Sequence, residues 1–372
     1  MARRGLAAAL GALMVVGCGG PRLSPRGALS PGPAPLADSV GVNPARLFPR
    51  RLDSFRSLDG WEREDHVAAF SAYRAGCGAA RDAGARFVCG VARRSGTLSE
   101  GEARAFFERF FRPEVTGPSG LLTAYFTPVY PASDVRRGDF TSPVRPRPAD
   151  LPSTGLTATA IAPYADRASI EARATPDALA WMKPEDLFIL QIQGSGILVF
   201  PSGARAKAIF DGDNGAPFRG IAAPMREMGL LPDRETSGEA IGGWLADHRG
   251  PMAEAIMRLD PRYVFFRLAA DDGALPDGAS GVRLIPGRSV AVDPARHAAG
   301  ELLWIDASAP ALTGAFPAYR RLAVALDIGG AIKGESRADL YLGEGPSAGR
   351  EAGRVRHVLK LYRLQPVAPP VP

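Results

Sequence analysis

Chain breakers recur so often in this sequence that no element can run long. It holds 43 glycines and 34 prolines in 372 residues, about one breaker in every five positions, and each tends to punctuate a helix or strand. Long coiled coils and helical bundles are thereby disfavoured, and short strands joined by tight turns are expected. Hydrophobic residues make up 46% and charged residues 23%, an ordinary globular balance that excludes a disordered chain, a collagen-like repeat and a polytopic membrane protein. The length suits one large domain or two ordinary ones, at about 100–200 residues each. The formal net charge of +6 is carried almost wholly by arginine, since Lys183, Lys207, Lys333 and Lys360 are the only lysines. No basic run is interleaved with aromatics, so no nucleic-acid partner is expected.

The N-terminus reads as an address. Arg3 and Arg4 precede an apolar stretch from Leu6 to Val16, the make-up of an export signal. A bilayer-spanning helix needs about 20 apolar residues, more than this stretch offers. It closes on Val15-Val16-Gly17-Cys18, which resembles a bacterial lipoprotein box with Cys18 as the lipidated residue. Gly19, rather than an aspartate, follows, so residues 1–18 are expected to be a lipoprotein signal that delivers the chain to the periplasmic face of the outer membrane. Residues 19–45 are rich in Pro, Gly and Ser and read as a flexible tether. Cys77 and Cys89 are then an even pair in an exported chain. They are read as a disulfide pinning two helices, the alternative being two buried thiols. The four histidines, His66, His248, His297 and His357, have no zinc spacing, so no metal is expected.

Residues 46–112 read as mostly helical. Ser99 and Glu102 form a capping box, Phe106, Phe107, Phe110 and Phe111 follow at helical spacing, and Pro113 ends the helix. From Leu121 the pattern changes to strands. The run 187–193, the run 197–200 and the segment after Pro201-Ser202-Gly203 are read as a three-stranded antiparallel meander. Short helices are expected within 214–270, one placing Ile241, Trp244 and Leu245 on a single face, followed by a strand at 263–268. Five further strands, at 289–293, 301–306, 321–327, 338–343 and 357–362, suggest a small β-barrel. Residues 366–372 form a Pro-rich tail.

Three carboxylates stand at strand ends. Asp293 and Asp327 each close an apolar strand and Asp339 opens one. Any one of them alone is an ordinary turn former; three around one β-rich region are candidate catalytic groups. Between two of them lies Gly329-Gly330-Ala331-Ile332-Lys333-Gly334. Its spacing fails the phosphate-loop pattern, and no Ser or Thr follows Lys333. Gln191 and Gln193 would share one face of a strand, where their amides suit sugar hydroxyls and acetamido groups. Gly194, Ser195 and Gly196 would make the adjoining turn, and Asn214 lies in a second polar turn. The Gly-Ser-Gly triplet lacks the first glycine of a nucleophile elbow.

These pieces, in this order, resemble the membrane-bound lytic transglycosylase A (MltA) family of murein-cleaving lipoproteins. TAYFTP (123–128), DLFILQIQGSG (186–196), DNGAPFRGI (213–221), DPRYVFFR (260–267), PGRSVAVDP (286–294) and ALDIGGAIKGESRADLYLG (325–343) carry the resemblance, over roughly residues 46–365. The chain departs from the family pattern at Ala124, Phe126 and Phe218, where the family has a glycine and two tyrosines. The resemblance implies a mainly β, two-domain fold. A double-psi β-barrel catalytic domain would be built from residues 46–128 and 272–365, with a few N-terminal helices, and a β-rich, barrel-like substrate-groove domain, 129–271, would be inserted.

It further implies cleavage of the β-1,4 bond between N-acetylmuramic acid and N-acetylglucosamine in peptidoglycan, with closure of a 1,6-anhydro ring. Asp339 would be acid and then base, Asp327 and Asp293 would support it, and Tyr125, Gln191, Gln193, Gly194, Ser195, Gly196, Asn214 and Lys333 would contact the glycan. The expected partners are glycan strands and, through Cys18, outer-membrane lipid, with a monomeric chain and no cofactor. The alternatives are a hydrolase on the same barrel and a non-enzymatic wall-binding lipoprotein.

Overall fold

A computed structural model describes residues 50–51, 54–151, 164–231, 237–309 and 316–367. The signal segment with Cys18, the tether 19–45 and most of the C-terminal tail lie outside the described residues. The first elements are strand β1 (Arg50–Arg51), helices α1 (His66–Gly76), α2 (Ala83–Arg94) and α3 (Glu100–Phe110), and strands β2 (Phe111–Val115) and β3 (Gly120–Thr127). Each helix starts where a side chain caps it: Asp65 on α1, Asp82 on α2, and on α3 the reciprocal Ser99–Glu102 box. Cys77 and Cys89 are bridged, with Cα atoms 5.5 Å apart, so α1 and α2 are tied at one end. Phe106 and Phe107 leave α3 on its inner face and meet Phe70, Tyr73 and Phe111, largely edge to face.

The middle of the chain carries strands β4 (Val129–Pro131) and β5 (Ser142–Val144), helix α4 (Arg167–Glu171), strand β6 (Ala180–Met182), helix α5 (Pro184–Gln193) and strands β7 (Gly196–Val199) and β8 (Arg205–Asp213). Helices α6 (Ala222–Glu227), α7 (Gly238–Asp247) and α8 (Pro251–Met257) and strand β9 (Val264–Ala270) complete it. Strands β4, β7, β8 and β9 form one sheet in that order, and β5 pairs with β6. The expected hairpin across Pro201-Ser202-Gly203 is present, as β7 and β8.

The run 187–193, read above as the first strand of a meander, is helix α5. Its signals are local. Pro184 is pre-set for the first turn, Glu185 and Asp186 face the positive helix start, and Gly194 ends the helix with φ +82°. Leu187, Phe188, Leu190 and Gln191 are all buried, so little polar periodicity survives to mark the helix, and a short apolar run looks the same in either state.

The last third holds β10 (Ser289–Val292), β11 (Leu302–Ser308), β12 (Ala318–Ile328), β13 (Arg337–Glu344), helix α9 (Gly345–Ala352) and β14 (Arg356–Pro366). Strands β14, β11, β12, β10, β13 and β3 are neighbours in that order, and β3 pairs again with β14, closing a six-stranded barrel. Two pairs are parallel, β10 with β12 and β13 with β3. Alternate residues fill its interior: Leu122, Val290, Val292, Leu303, Ile305, Ala323, Ala325, Ala338, Leu340, Leu359 and Leu361 are all buried there. The outward residues Trp304, Leu322, Val324, Leu326, Tyr341 and Tyr362 form a second core with the aromatics of α1 and α3. The barrel is thus a mainly β body with helices packed on one side.

Candidate active site

The site follows from strand register. On β12, Asp327 is the cross-strand partner of Ala291 on β10, Ala291 is the partner of Asp339 on β13, and Asp339 is the partner of Thr123 on β3. Four strands from distant parts of the chain therefore set one row. Asp339 lies between Ala338 and Leu340, both inside the barrel, so its carboxylate faces outward. Simple alternation from Ala323 and Ala325 would point Asp327 inward. The register shift between Val290 and Ala291 adds one residue to β12 here, and Asp327 turns out to the same face. Bulges re-aim side chains in this way.

Asp339 is half-buried, and the hydroxyl of Thr123 donates to its Oδ1. Arg337 in turn donates from Nη2 to the Thr123 oxygen at 2.9 Å. Burial pushes the Asp339 carboxyl above its ordinary value, the Thr123 hydrogen bond and the Arg337 charge pull it back, and the Asp327 charge adds to the rise. The group is thus biased toward its protonated form. Asp327 is also raised by burial, against three donors: Tyr125 Oη at 2.7 Å, Ala279 N at 2.9 Å and Ile328 N at 3.0 Å. Two carboxyls share one face; Asp327 accepts three hydrogen bonds there, and Asp339 accepts one, from a hydroxyl.

Asp293 plays a different part. Burial opposes its ionisation, yet the backbone N–H groups of Gly334 at 2.8 Å and Ala295 at 3.1 Å outweigh it, with help from Lys333 and Arg296, and its carboxyl lies below the usual range. The Lys333 ammonium stands 4.0 Å away and is largely exposed. Asp293 therefore holds the 329–334 loop that joins β12 to β13, the two strands carrying the other aspartates.

The remaining residues singled out from sequence divide into two sets. Gln193 accepts from the Phe126 backbone N–H at 3.2 Å, which ties the end of α5 to the strand bearing Thr123 and Tyr125. Ser195 is half-buried beside it, and Gly196 is required by space, because a Cβ there would sit 2.9 Å from the Pro128 carbonyl oxygen. Gln191 and Asn214, by contrast, are buried. The Gln191 amide bonds Arg167 Nη1 at 2.6 Å and the Val264 carbonyl at 3.3 Å. Asn214 donates to the carbonyls of Ala165 and Pro261 and accepts from the Tyr263 N–H. As part of a helix, Gln191 and Gln193 cannot share a face, and the strand-face expectation for the pair does not hold.

Thr123 and Arg337 are absent from the sequence reading. Thr123 lies two positions before Tyr125 on a strand, so the same alternation marks its face. Phe126 leans on α9, where a Cβ built on Gly349 would meet its ring at 2.7 Å. Among the described residues, no group of three or more His, Cys, Asp or Glu side chains is arranged to hold a metal ion.

A barrel whose outer row carries two aspartates, with a third holding the loop between their strands, beside a separate sheet, defines the class of this protein. Residues 288–365 match the 3D domain, and residues 121–267 match the MltA specific insert domain. The chain is 33% identical over 253 residues to membrane-bound lytic murein transglycosylase A of Escherichia coli K12, covering 66% of this chain and 65% of that protein. In structure it is similar to the membrane-bound lytic murein transglycosylase of Agrobacterium tumefaciens, with TM-score 0.73 and 29% identity over 86% of this chain and 97% of the other. It is also similar to E. coli MltA with bound chitohexaose, with TM-score 0.66 and 26% identity over 86% of this chain and 95% of the other. The chain belongs to the MltA family.

Proposed function

We propose that this chain is a peptidoglycan lytic transglycosylase in which Asp339 is acid and then base. The carrying observation is the outward row, in which a carboxyl with a raised pKa stands beside a second carboxyl already engaged by three donors. A general acid must hold its proton near the working pH. Protonated Asp339 donates to the glycosidic oxygen as the bond to the muramyl C1 breaks, leaving an oxocarbenium-like centre. The C6 hydroxyl oxygen of the same sugar then bonds C1, and its proton passes to the Asp339 carboxylate, which is ready for the next cycle. One carboxylate serves twice because the nucleophile is intramolecular and close.

Asp327, with its Tyr125 bond, supplies negative charge near the developing cation. Asp293 and Lys333 shape the loop, and Tyr125, Gln193, Gly194, Ser195 and Gly196 border the glycan path. Gln191 and Asn214 hold the scaffold behind that path. The bound chitohexaose of the E. coli relative supports a glycan ligand. Hydrolysis through an Asp327-activated water is the weaker reading, because ordinary glycosidases need a second carboxylate free to act as base or nucleophile. The proposal includes the division into a barrel of residues 46–128 with 272–365 and an inserted region 129–271, a monomeric chain, and lipid anchoring at Cys18 to the outer membrane.

The test is digestion of purified peptidoglycan by the purified protein, with product ends identified by mass spectrometry. Anhydromuramyl ends that disappear with Asp339→Asn are the expected result. Reducing muramic ends would replace this reading with hydrolysis.

A further inference from the structure

Outside the aspartate row, a cavity of about 200 Å³ opens between α4, α5, α8 and β5. Its walls carry four guanidinium groups, Arg136, Arg145, Arg167 and Arg258, against two carboxylates, Glu171 and Glu254. The carboxylates are already engaged: Glu171 pairs with Arg167 at 3.4 Å and Arg258 at 3.0 Å, and Glu254 pairs with Arg258 at 3.3 Å. Arg145 is 8% exposed and forms no ion pair among the described residues. Its Nη2 donates to the carbonyls of Glu171 and Arg173, at 3.4 and 2.8 Å. The Tyr263 hydroxyl, in the same wall, also interacts with this guanidinium, but its Nε–H is buried with no partner within hydrogen-bond distance.

A buried guanidinium without a counter-charge is costly, and a buried unpartnered donor adds to that cost. A water molecule relieves the second problem and leaves the first. An anion relieves both. The fork of an arginine matches a planar carboxylate, and the volume admits a small carboxylate or the end of a larger ligand, since pockets for drug-sized ligands run to about 300–1,000 Å³.

We propose that this cavity is a carboxylate-binding subsite centred on Arg145, taking the terminal carboxylate of a short peptide or a free small carboxylate. The site does not rest on the reaction proposed above; only its assignment to a peptide stem of the glycan does.

The experiment follows arginine Nε–H signals by NMR in the full chain. It is titrated with acetate, N-acetyl-D-alanine, its uncharged amide, and a muramyl peptide with a free stem carboxylate. Saturable shifts are expected with the carboxylates, with the amide about tenfold or more weaker. Arg145→Lys should abolish the response, and Asp339→Asn should leave it unchanged, whatever its effect on glycan cleavage. If Arg145→Lys does not fold, the acid–amide comparison in the unaltered chain decides alone. Tighter binding of the muramyl peptide than of acetate assigns the site to the stem; equal binding assigns it to a free carboxylate. Equal binding of acid and amide, or no saturation up to about 100 mM, overturns the subsite.

Discussion

The inserted region and the barrel both bury polar side chains, and they treat them in opposite ways. Around α4 and β9, Arg167 donates to the carbonyls of Asp260 and Arg262 and to Gln191, while Asn214 and Asp260 bind backbone groups on both sides of the turn at 260–263. There these donors meet acceptors, and the Nε–H of neighbouring Arg145 is the exception. On the barrel, Asp339 has one hydroxyl donor and a carboxylate neighbour that raises its pKa further. A satisfied network fixes a shape. An under-satisfied carboxyl is a store of chemical reactivity held at a cost in stability, and such perturbed groups gather at functional sites.

Four outcomes test that contrast. Asp339→Asn should lower anhydromuramyl product formation by about 10³-fold, within the range for loss of a general acid, while near-UV circular dichroism stays unchanged. A comparable loss from Asn214→Ala with the fold intact would break the division between the two regions. Asn214→Ala itself should destabilise the protein by about 3 kcal/mol in urea unfolding, because it strands several buried backbone partners.

Thr123→Val sharpens the barrel side. The Thr123 bond favours the Asp339 carboxylate, so removing it should move the basic limb of the pH–rate profile upward and cost about tenfold or less in rate. A limb that stays in place would detach Thr123 from the titrating group.

The smallest effect is on stability. The folded pKa of Asp339 is raised, so the folded chain binds the proton more tightly than the unfolded one. Its stabilising contribution is complete below the ordinary carboxyl value of about 4 and is lost as pH rises through the folded pKa. Asp339→Asn escapes that loss. Its Tm should exceed that of the unaltered chain at pH 7, and the gain should vanish near pH 4.

Much of the barrel was legible because its strands are short, apolar and separated by Gly or Pro, and because the aspartates sit where strands end. The Ser99–Glu102 box made α3 legible for a similar local reason. Helix α5 was misread because Leu187, Phe188, Leu190 and Gln191 are all buried, which erases the polar side that distinguishes the two periods. Its true markers, Pro184 and Gly194, lie at its edges. The row itself was beyond local reading. It depends on which strands are neighbours and on the bulge before Asp327, and neither leaves a trace in any single window of sequence. Arg145 escaped notice for the same reason, since its lack of an ion pair among the described residues is a property of its surroundings.

The closure of the barrel also sets an order in time. Thr123 emerges early in synthesis, but β3 finds its second neighbour only when β14, Arg356–Pro366, has been made. Asp339 precedes that strand by fewer than thirty residues. A growing chain carries every side chain of the row before it has the strand that seals the barrel. A chain that stops before β14 leaves β3 and β11 each without one of their strand partners, an open sheet edge where the closed barrel has none.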